Sequence, residues 1–343
     1  MQRLRRRGDC GGDLSAGKGE DQMAGNDLWL LYRIAEQYYK KGKTQEEISQ
    51  EENISRSQVS RMLDRAKTQG IVRVDVTLPQ ELDDEALEDF LSQNLKLDRV
   101  VIARSESGWK SSRISDSIAE AAAYYLPRML KESAVIGVGW GETVYRFASL
   151  LRSRLALPGS IIVPLVGVSG SSNPYLQINV IVDRMADHLR AERYFTNLAI
   201  YREKSVPLTV HEQKRLESLH EYWDKMDAAV FGLGTIEASC RSFDEEVSDS
   251  SRERLMNSGA AGEILSQYYY ADGTLLTYDE DYETNAFPLD GMRKVARRIC
   301  LAGGIQKAES MLAAARAGYY TVLITDSQTA RRLYQLVRSE IMK

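Results

Sequence analysis

Between Asp27 and Lys41, Leu28, Leu31, Ile34, Ala35 and Tyr38 fall on one face of a 3.6-residue period. That spacing predicts an amphipathic helix, and Gly42 predicts its end. Thr44 has Glu47 three residues on, and Ser55 has Gln58 three residues on, two capping-box signatures for two further helix starts. Ile48 supplies the apolar side of the first of these short helices. Val59, Met62, Leu63 and Ala66 supply that of the second. The chain turns at Asn53-Ile54, so two helices meet across a few residues as a helix-turn-helix. After Gly70, IVRVDV alternates as a strand does and reads as a wing beside the helices.

The pattern then changes twice. In PQELDDEALEDFLSQNLKLDRV, Leu82, Leu87, Phe90, Leu91 and Leu95 keep roughly helical spacing, while Glu81, Asp83, Asp84, Glu85, Glu88 and Asp89 form an acidic face expected to be solvated. From Arg99 onward, short apolar runs alternate with helical stretches. The runs are RVVIA, AVIGVGW, SIIVPLV, DAAVFGLG, RRICLAGG and YTVLITD; the helical stretches include Ser115 to Lys131, Glu142 to Arg154 and Ile305 to Ala317. Such alternation predicts a doubly wound α/β domain with a mostly parallel sheet. The N-terminal stretch up to Gln22 is basic, then Gly-rich and polar, without the apolar core of a secretory signal. The expected organisation is a disordered tail over 1–26, a winged helix-turn-helix domain over 27–78, a linker helix over 79–97 and an α/β domain over 98–343, with Met23 a second candidate initiator.

Composition narrows the functions. With 43% apolar and 27% charged residues in 343, the chain reads as an ordinary soluble protein of two domains. A net charge of −4 excludes a general polycation, so nucleic-acid binding needs a local patch. One exists. From Asn53 to Arg73 the cations Arg56, Arg61, Arg65, Lys67 and Arg73 face Asp64 alone, +5 against −1. The first turns of the second short helix carry Arg56, Ser57, Gln58, Ser60 and Arg61, with Thr44 and Ser55 at the two caps. Arg and Gln suit purine edges in a major groove, and Ser suits phosphates or base edges. Thr44, Ser55, Arg56, Ser57, Gln58, Ser60, Arg61 and Arg65 are therefore the candidate contacts to double-stranded DNA. Cys10, Cys240 and Cys300 lie far apart and give neither a disulfide framework nor a zinc signature, so no metal is expected and a reducing cytoplasm is.

In parallel α/β sheets, ligands bind beyond the carboxyl ends of the strands. Four expected strand ends are rich in small residues: Gly139-Trp140-Gly141-Glu142-Thr143, the loop holding Gly170 and Ser171, Gly232-Leu233-Gly234, and Ala302-Gly303-Gly304 before Lys307. None is a dinucleotide fingerprint or a P-loop, since Val144 stands where the third Gly would be and no G-K-S/T follows. A lysine in the first turn of a helix opposes the helix dipole, so Lys307 points to an anion nearby. Glu263, between small residues and the aromatic run ending in QYYY, is placed to accept hydrogen bonds from hydroxyls, and Asp272-Gly273 reads as a hairpin turn.

YYKKGKTQEEISQEENISRSQVSRMLDRAKTQGIVRV resembles the N-terminal domain of the SorC family of sugar-responsive bacterial transcription regulators, grouped with DeoR-like proteins. GVGWGET, the Gly170 loop, DAAVFGLG, GAAGEI, ADG and AGGIQKA follow in the family's order, so the resemblance runs from about Asp27 to the end. It implies an effector domain of the sugar-phosphate isomerase and deaminase fold, no cofactor, and a carbohydrate effector: a sugar phosphate, a sugar or a polyol. The implied effector contacts are Gly139, Trp140, Gly141, Glu142, Thr143, Gly170, Ser171, Gly232, Gly234, Glu263 and Lys307. Family members often carry Arg or Thr where this chain has Glu142. An acid at a phosphate loop is unfavourable unless it faces hydroxyls, which points to an unphosphorylated sugar or polyol. The expectation is a ligand-controlled DNA-binding regulator acting as a homodimer or homotetramer. The competing reading is an isomerase- or deaminase-like enzyme with a DNA-binding appendage. It requires a poised acid–base pair, and His188, His211 and His220 are not adjacent to the Gly-rich loops in sequence.

Overall fold

The computed structural model describes residues 17–72, 82–151, 156–242, 248–277 and 282–342. The chain divides into two compact units, Met1–Pro79 and Gln80–Lys343.

The first unit holds α1 (Gly17–Tyr39), α2 (Gln45–Glu52) and α3 (Arg56–Thr68). Ile34, Ile48, Val59 and Leu63, one or two from each helix, close into a small core. Both capping boxes form. Glu47 N–H donates to Thr44 Oγ1 and Gln58 N–H to Ser55 Oγ, while the Glu47 and Gln58 side chains accept from the Thr44 and Ser55 backbone N–H groups. Asn53 makes the tight turn between α2 and α3 by adopting left-handed backbone, φ 56°. Two expectations change here. The backbone is helical from Gly17, ten residues before the predicted start, in sequence assigned to the tail. Glu20 and Asp21 suit a helix N-terminus, and Met23 and Ala24 are good helix formers. Leu28, expected on the buried face, is half exposed, whereas Leu31, Ile34 and Ala35 are buried. The expected wing lies, from Arg73 onward, outside the described residues.

The second unit begins with α4 (Leu82–Leu95), β1 (Arg99–Ala103), α5 (Ser111–Met129), β2 (Val135–Val138), α6 (Glu142–Leu150), β3 (Ile161–Pro164), α7 (Ile178–Leu189), β4 (Glu192–Arg193) and β5 (Tyr201–Glu203). It continues with α8 (Val210–Trp223), β6 (Met226–Gly232), α9 (Ile236–Ser242), α10 (Asp249–Met256), β7 (Gly262–Ile264), β8 (Gln267–Tyr269), β9 (Tyr282–Thr284), β10 (Arg297–Leu301), α11 (Ala308–Arg316), β11 (Val322–Asp326) and α12 (Ser327–Ile341). Seven strands form one sheet in the order β1-β11-β10-β6-β2-β3-β4, every pair parallel. Buried on both faces, such strands read as apolar runs, as VLI of β11 does. α5, α6 and α7 pack side by side in one helical layer; α4, α11 and α12 pack together in another. From β2 the chain winds outward through β3 to β4; from β6 it winds the other way through β10 to β11. The sheet therefore reverses direction between β2 and β6, the switch point at which open α/β sheets leave a crevice.

The helix expected as a separate linker over 79–97 is α4, and it belongs to the second unit. Leu91 and Leu95 enter the core and Phe90 packs edge-on against Tyr334 of α12. Its acids are not all solvated. Glu88 is 6% exposed and accepts a 2.7 Å hydrogen bond from Ile102 N–H on β1, and burial raises its pKa. No described helix is long and apolar enough to cross a membrane.

Candidate functional site

On the first unit, α3 buries Val59, Leu63 and Ala66 and turns Arg56, Ser57, Gln58, Arg61 and Arg65 to the surface; Ser60 is half-buried. Ser57 Oγ lies 2.9 Å from Ser55 Oγ, and Arg61 Nε donates to Ser57 O at 3.3 Å. Gln58 Oε1 is taken by the Ser55 backbone N–H at 2.8 Å, so Gln58 offers an outside partner chiefly its amide NH2. Thr44 is occupied as the α2 cap.

On the second unit, the β2 and β6 ends meet. Gly139 N–H donates to Val230 O at 2.8 Å. A Cβ on Gly139 would stand 2.7 Å from Leu265 Cδ2, and one on Gly232 would stand 3.3 Å from Trp140 O. These glycines let the two strand exits and the β7–β8 hairpin close on one another. Gly234 pairs with Glu263 across an antiparallel bridge, with N–H to O distances of 2.9 and 3.1 Å. Glu263 Oε2 flanks Gly234, and its Oε1 accepts from Ser266 N–H. From the adjacent β10 exit, Lys307 Nζ donates to Leu233 O at 2.9 Å. Burial raises Glu263 to about 7, against the lowering effects of the Ser266 N–H and Lys307. Burial lowers the Lys307 pKa, against the opposing effects of Cys300, Glu263 and Glu142. A carboxylate and a lysine are thus held together by Gly-rich backbone at the switch point.

Lys307 closes the 3-10 turn Ile305–Lys307, which runs straight into α11, so it stands at the start of a helix; its Nζ donates to a backbone carbonyl, and the Glu263 carboxyl is near enough to act on its charge. Glu142 does not stand alone at its loop. Arg146, one turn on, bonds its Oε1 through Nε at 3.1 Å and NH2 at 2.8 Å, and also bonds Asp116. The acid at the Gly139–Thr143 loop is thereby paired with a cation, which lessens its repulsion of a phosphate. Thr143 Oγ1 donates to Ser115 Oγ at 3.2 Å. Trp140 is buried. Gly170 is exposed with open space around it, and Ser171 is bonded within its own loop and to Gln177. That loop meets the Gly139–Thr143 loop through the turn after it, where Gly141 N–H donates to Tyr175 O at 2.9 Å.

Residues 81–335 match the Sugar-bind family of sugar-binding domains. The chain belongs to that family. Among its relatives, the sorbitol operon regulator of Klebsiella pneumoniae is 27% identical over 315 residues, 90% of this chain and 98% of that protein. The deoxyribonucleoside regulator of Bacillus subtilis is 27% identical over 305 residues, 89% and 96% of the two chains. The crystal structure of the full-length Klebsiella sorbitol operon regulator SorC superposes with a TM-score of 0.74 at 26% identity, covering 90% of this chain and 98% of that one. A transcriptional regulator from Streptococcus pneumoniae shares the fold, with a TM-score of 0.67 at 21% identity over 75% of this chain.

One feature of this sugar-binding-domain chain escaped the sequence motifs. Asp326, fully buried at the end of β11, accepts five hydrogen bonds. Its Oδ1 takes Ser105 Oγ, Gln328 N–H and Thr329 N–H; its Oδ2 takes Gly304 N–H and Thr329 Oγ1. Gly304 in turn accepts the Lys307 N–H at 2.8 Å. Asp326 thus caps α12 and fixes the turn that carries the lysine. The only signal in the sequence is an Asp just before SQT, an N-cap pattern found at many helices.

Proposed function

We propose that this protein is a DNA-binding transcription regulator whose grip on DNA is controlled by a carbohydrate bound at the β2–β6 switch point. The observation that carries the reading is the presence on one chain of a cationic helix face, Arg56, Arg61 and Arg65, and a separate cleft holding Glu263 and Lys307 among Gly-rich strand ends. The unit formed by α1, α2 and α3 acts as a helix-turn-helix, with α3 in the major groove and Arg56, Ser57 and Arg61 nearest the bases and phosphates. Similarity to relatives named as sorbitol operon and deoxyribonucleoside regulators supports both halves.

The second unit adopts the sugar-phosphate isomerase and deaminase type of fold and uses it to bind rather than to turn over. The effector acts by binding the DNA-competent and DNA-incompetent states with different affinity. Two copies, at least, grip paired half-sites in the cytoplasm. Glu263 and Lys307 offer a sugar or polyol hydrogen-bond acceptors and donors, and Lys307 with the Gly139–Thr143 loop offers a phosphate its cation and N–H groups.

The test begins with a thermal-shift screen of the full chain against sugars, polyols and their phosphates, since a ligand of the native state raises apparent stability. DNA duplexes selected from a random pool by the protein are then titrated with and without the hits. Selection of a preferred duplex whose affinity changes with one hit supports the reading. No selected duplex, or identical DNA binding with every hit, refutes it. Turnover of a hit, lost in Lys307→Ala, decides for the enzyme instead.

A further inference from the structure

β7 and β8 form a hairpin in which Ile264 pairs with Gln267, so Leu265 and Ser266 are its whole loop. Both are left-handed, at φ 54° and 58°. A two-residue loop of this kind favours Asn-Gly, because both positions need positive φ. Non-glycine residues are strained there, and such strain persists where the surroundings impose it.

Leu265 has a packing reason for its place: it is 3% exposed and rests against Gly139. Ser266 has no such reason. It is 2% exposed, and its Oγ is enclosed without a hydrogen-bond partner among the described residues. Glycine would fit the backbone with neither the strain nor the orphaned hydroxyl. Yet this residue is tied directly to the cleft. Its N–H donates to Glu263 Oε1, the carboxylate whose other oxygen flanks Gly234.

We propose that Ser266 is a specificity-determining residue of the cleft, its Oγ exchanging a hydrogen bond with one hydroxyl of the bound carbohydrate. The inference rests on the carbohydrate-binding reading above and adds the group that distinguishes among carbohydrates. A hydroxyl both donates and accepts, so it suits a ligand hydroxyl in either sense. A ligand lacking that hydroxyl leaves Oγ buried and unpaired, and the site rejects it.

The test titrates the full-length wild type, Ser266→Gly and Ser266→Ala with the best carbohydrate from the screen and with its monodeoxy analogues, each lacking one hydroxyl. Wild type is expected to bind one analogue about tenfold more weakly than the parent. Ser266→Gly is expected to bind the parent about two- to tenfold more weakly than wild type, and to bind parent and that analogue alike. Its melting temperature stays level or rises, because glycine suits the turn. Ser266→Ala, which keeps the backbone strain, shows the same loss of discrimination and separates the hydroxyl from the turn. If both variants keep wild-type affinity and discrimination, the proposal is overturned while carbohydrate binding stands. A ligand-bound crystal structure with Oγ bonded only to an internal water overturns it as well. If the wild type binds no carbohydrate, the underlying reading fails with it.

Discussion

Replacing Glu263 by Gln should change how the stability of this protein depends on pH. Burial holds the Glu263 carboxyl up at about 7, against 4.5 for an unperturbed glutamate. Between those values the folded chain binds the proton that the unfolded chain has released, so stability falls as pH rises through this window. The contribution is fully present below about pH 4.5, lost as pH passes 7, and level above. At about 1.36 kcal/mol per pH unit the loss has a ceiling of ~3 kcal/mol, and ~2 kcal/mol is the better expectation because Glu263 keeps part of its surface in water. Gln keeps an acceptor for the Ser266 N–H and cannot ionise. Glu263→Gln should therefore match wild type near pH 5 and exceed it by ~2 kcal/mol at pH 8. The assay is urea unfolding of the ligand-free full chain at four pH values from 5 to 8, followed by tryptophan fluorescence, with Trp140 and Trp223 both buried in the second unit. Glu88 is also raised by burial and contributes a slope of the same sign, so the quantity to compare is the difference between the two proteins. Parallel curves across the whole range would show that Glu263 carries no such penalty and that the electrostatic account of the cleft is wrong.

Arg56→Ala and Arg61→Ala should each weaken binding to the selected duplex by ~1–3 kcal/mol in fluorescence anisotropy and leave carbohydrate affinity alone; an equal loss in both assays would contradict the assignment. Ser55→Ala removes one cap of α3 and should cost about 1 kcal/mol of stability in the first unit, read by circular dichroism melting, with no measurable change refuting the capping role. Leu63→Ala opens the small core formed with Ile34, Ile48 and Val59 and should cost ~2–5 kcal/mol, enough to abolish DNA binding while the carbohydrate-induced thermal shift persists. Lys307→Met removes the donor to Leu233 O and the cation beside Glu263; calorimetry should show at least a tenfold loss of carbohydrate affinity, roughly the worth of one charge-assisted hydrogen bond.

The parts of the fold visible in the sequence were those governed by local rules. All six apolar runs became sheet strands because each is long enough to be buried on both faces. The Thr44 and Ser55 capping boxes appeared because they join residues three apart. β4, β5 and β9, of two or three residues each, leave no periodic trace. Of the candidate site residues, Gly139, Gly232, Gly234, Glu263 and Lys307 converge because the topology brings the β2, β6 and β10 exits side by side. Long-range partners stayed hidden. Nothing near Lys307 in sequence predicts Leu233 O as its acceptor, 74 residues away, and nothing in the acidic run of α4 marks Glu88 as an acid turned inward to the Ile102 N–H. Arg146 was within reach of inspection, since Glu142 and Arg146 are spaced as an i,i+4 pair, but its second bond to Asp116 depends on the packing of α5 against α6.

Asp326 has a consequence for how such a site diversifies. All five of its partners are donors, and its two oxygens hold Ser105, Gly304 and the start of α12 together. A neutral amide would turn an N–H group toward donors, and a glutamate would displace the contacts by a methylene. Selection for a new ligand therefore has little room at this position, because any change disturbs the Lys307 turn before it alters what the cleft recognises. Gly170 and the Ser266 hydroxyl hold no such network: one faces open space and the other has no hydrogen-bond partner among the described residues. Changes of ligand preference should accumulate there, while the buried carboxylate at the end of β11 stays constant through each change of diet.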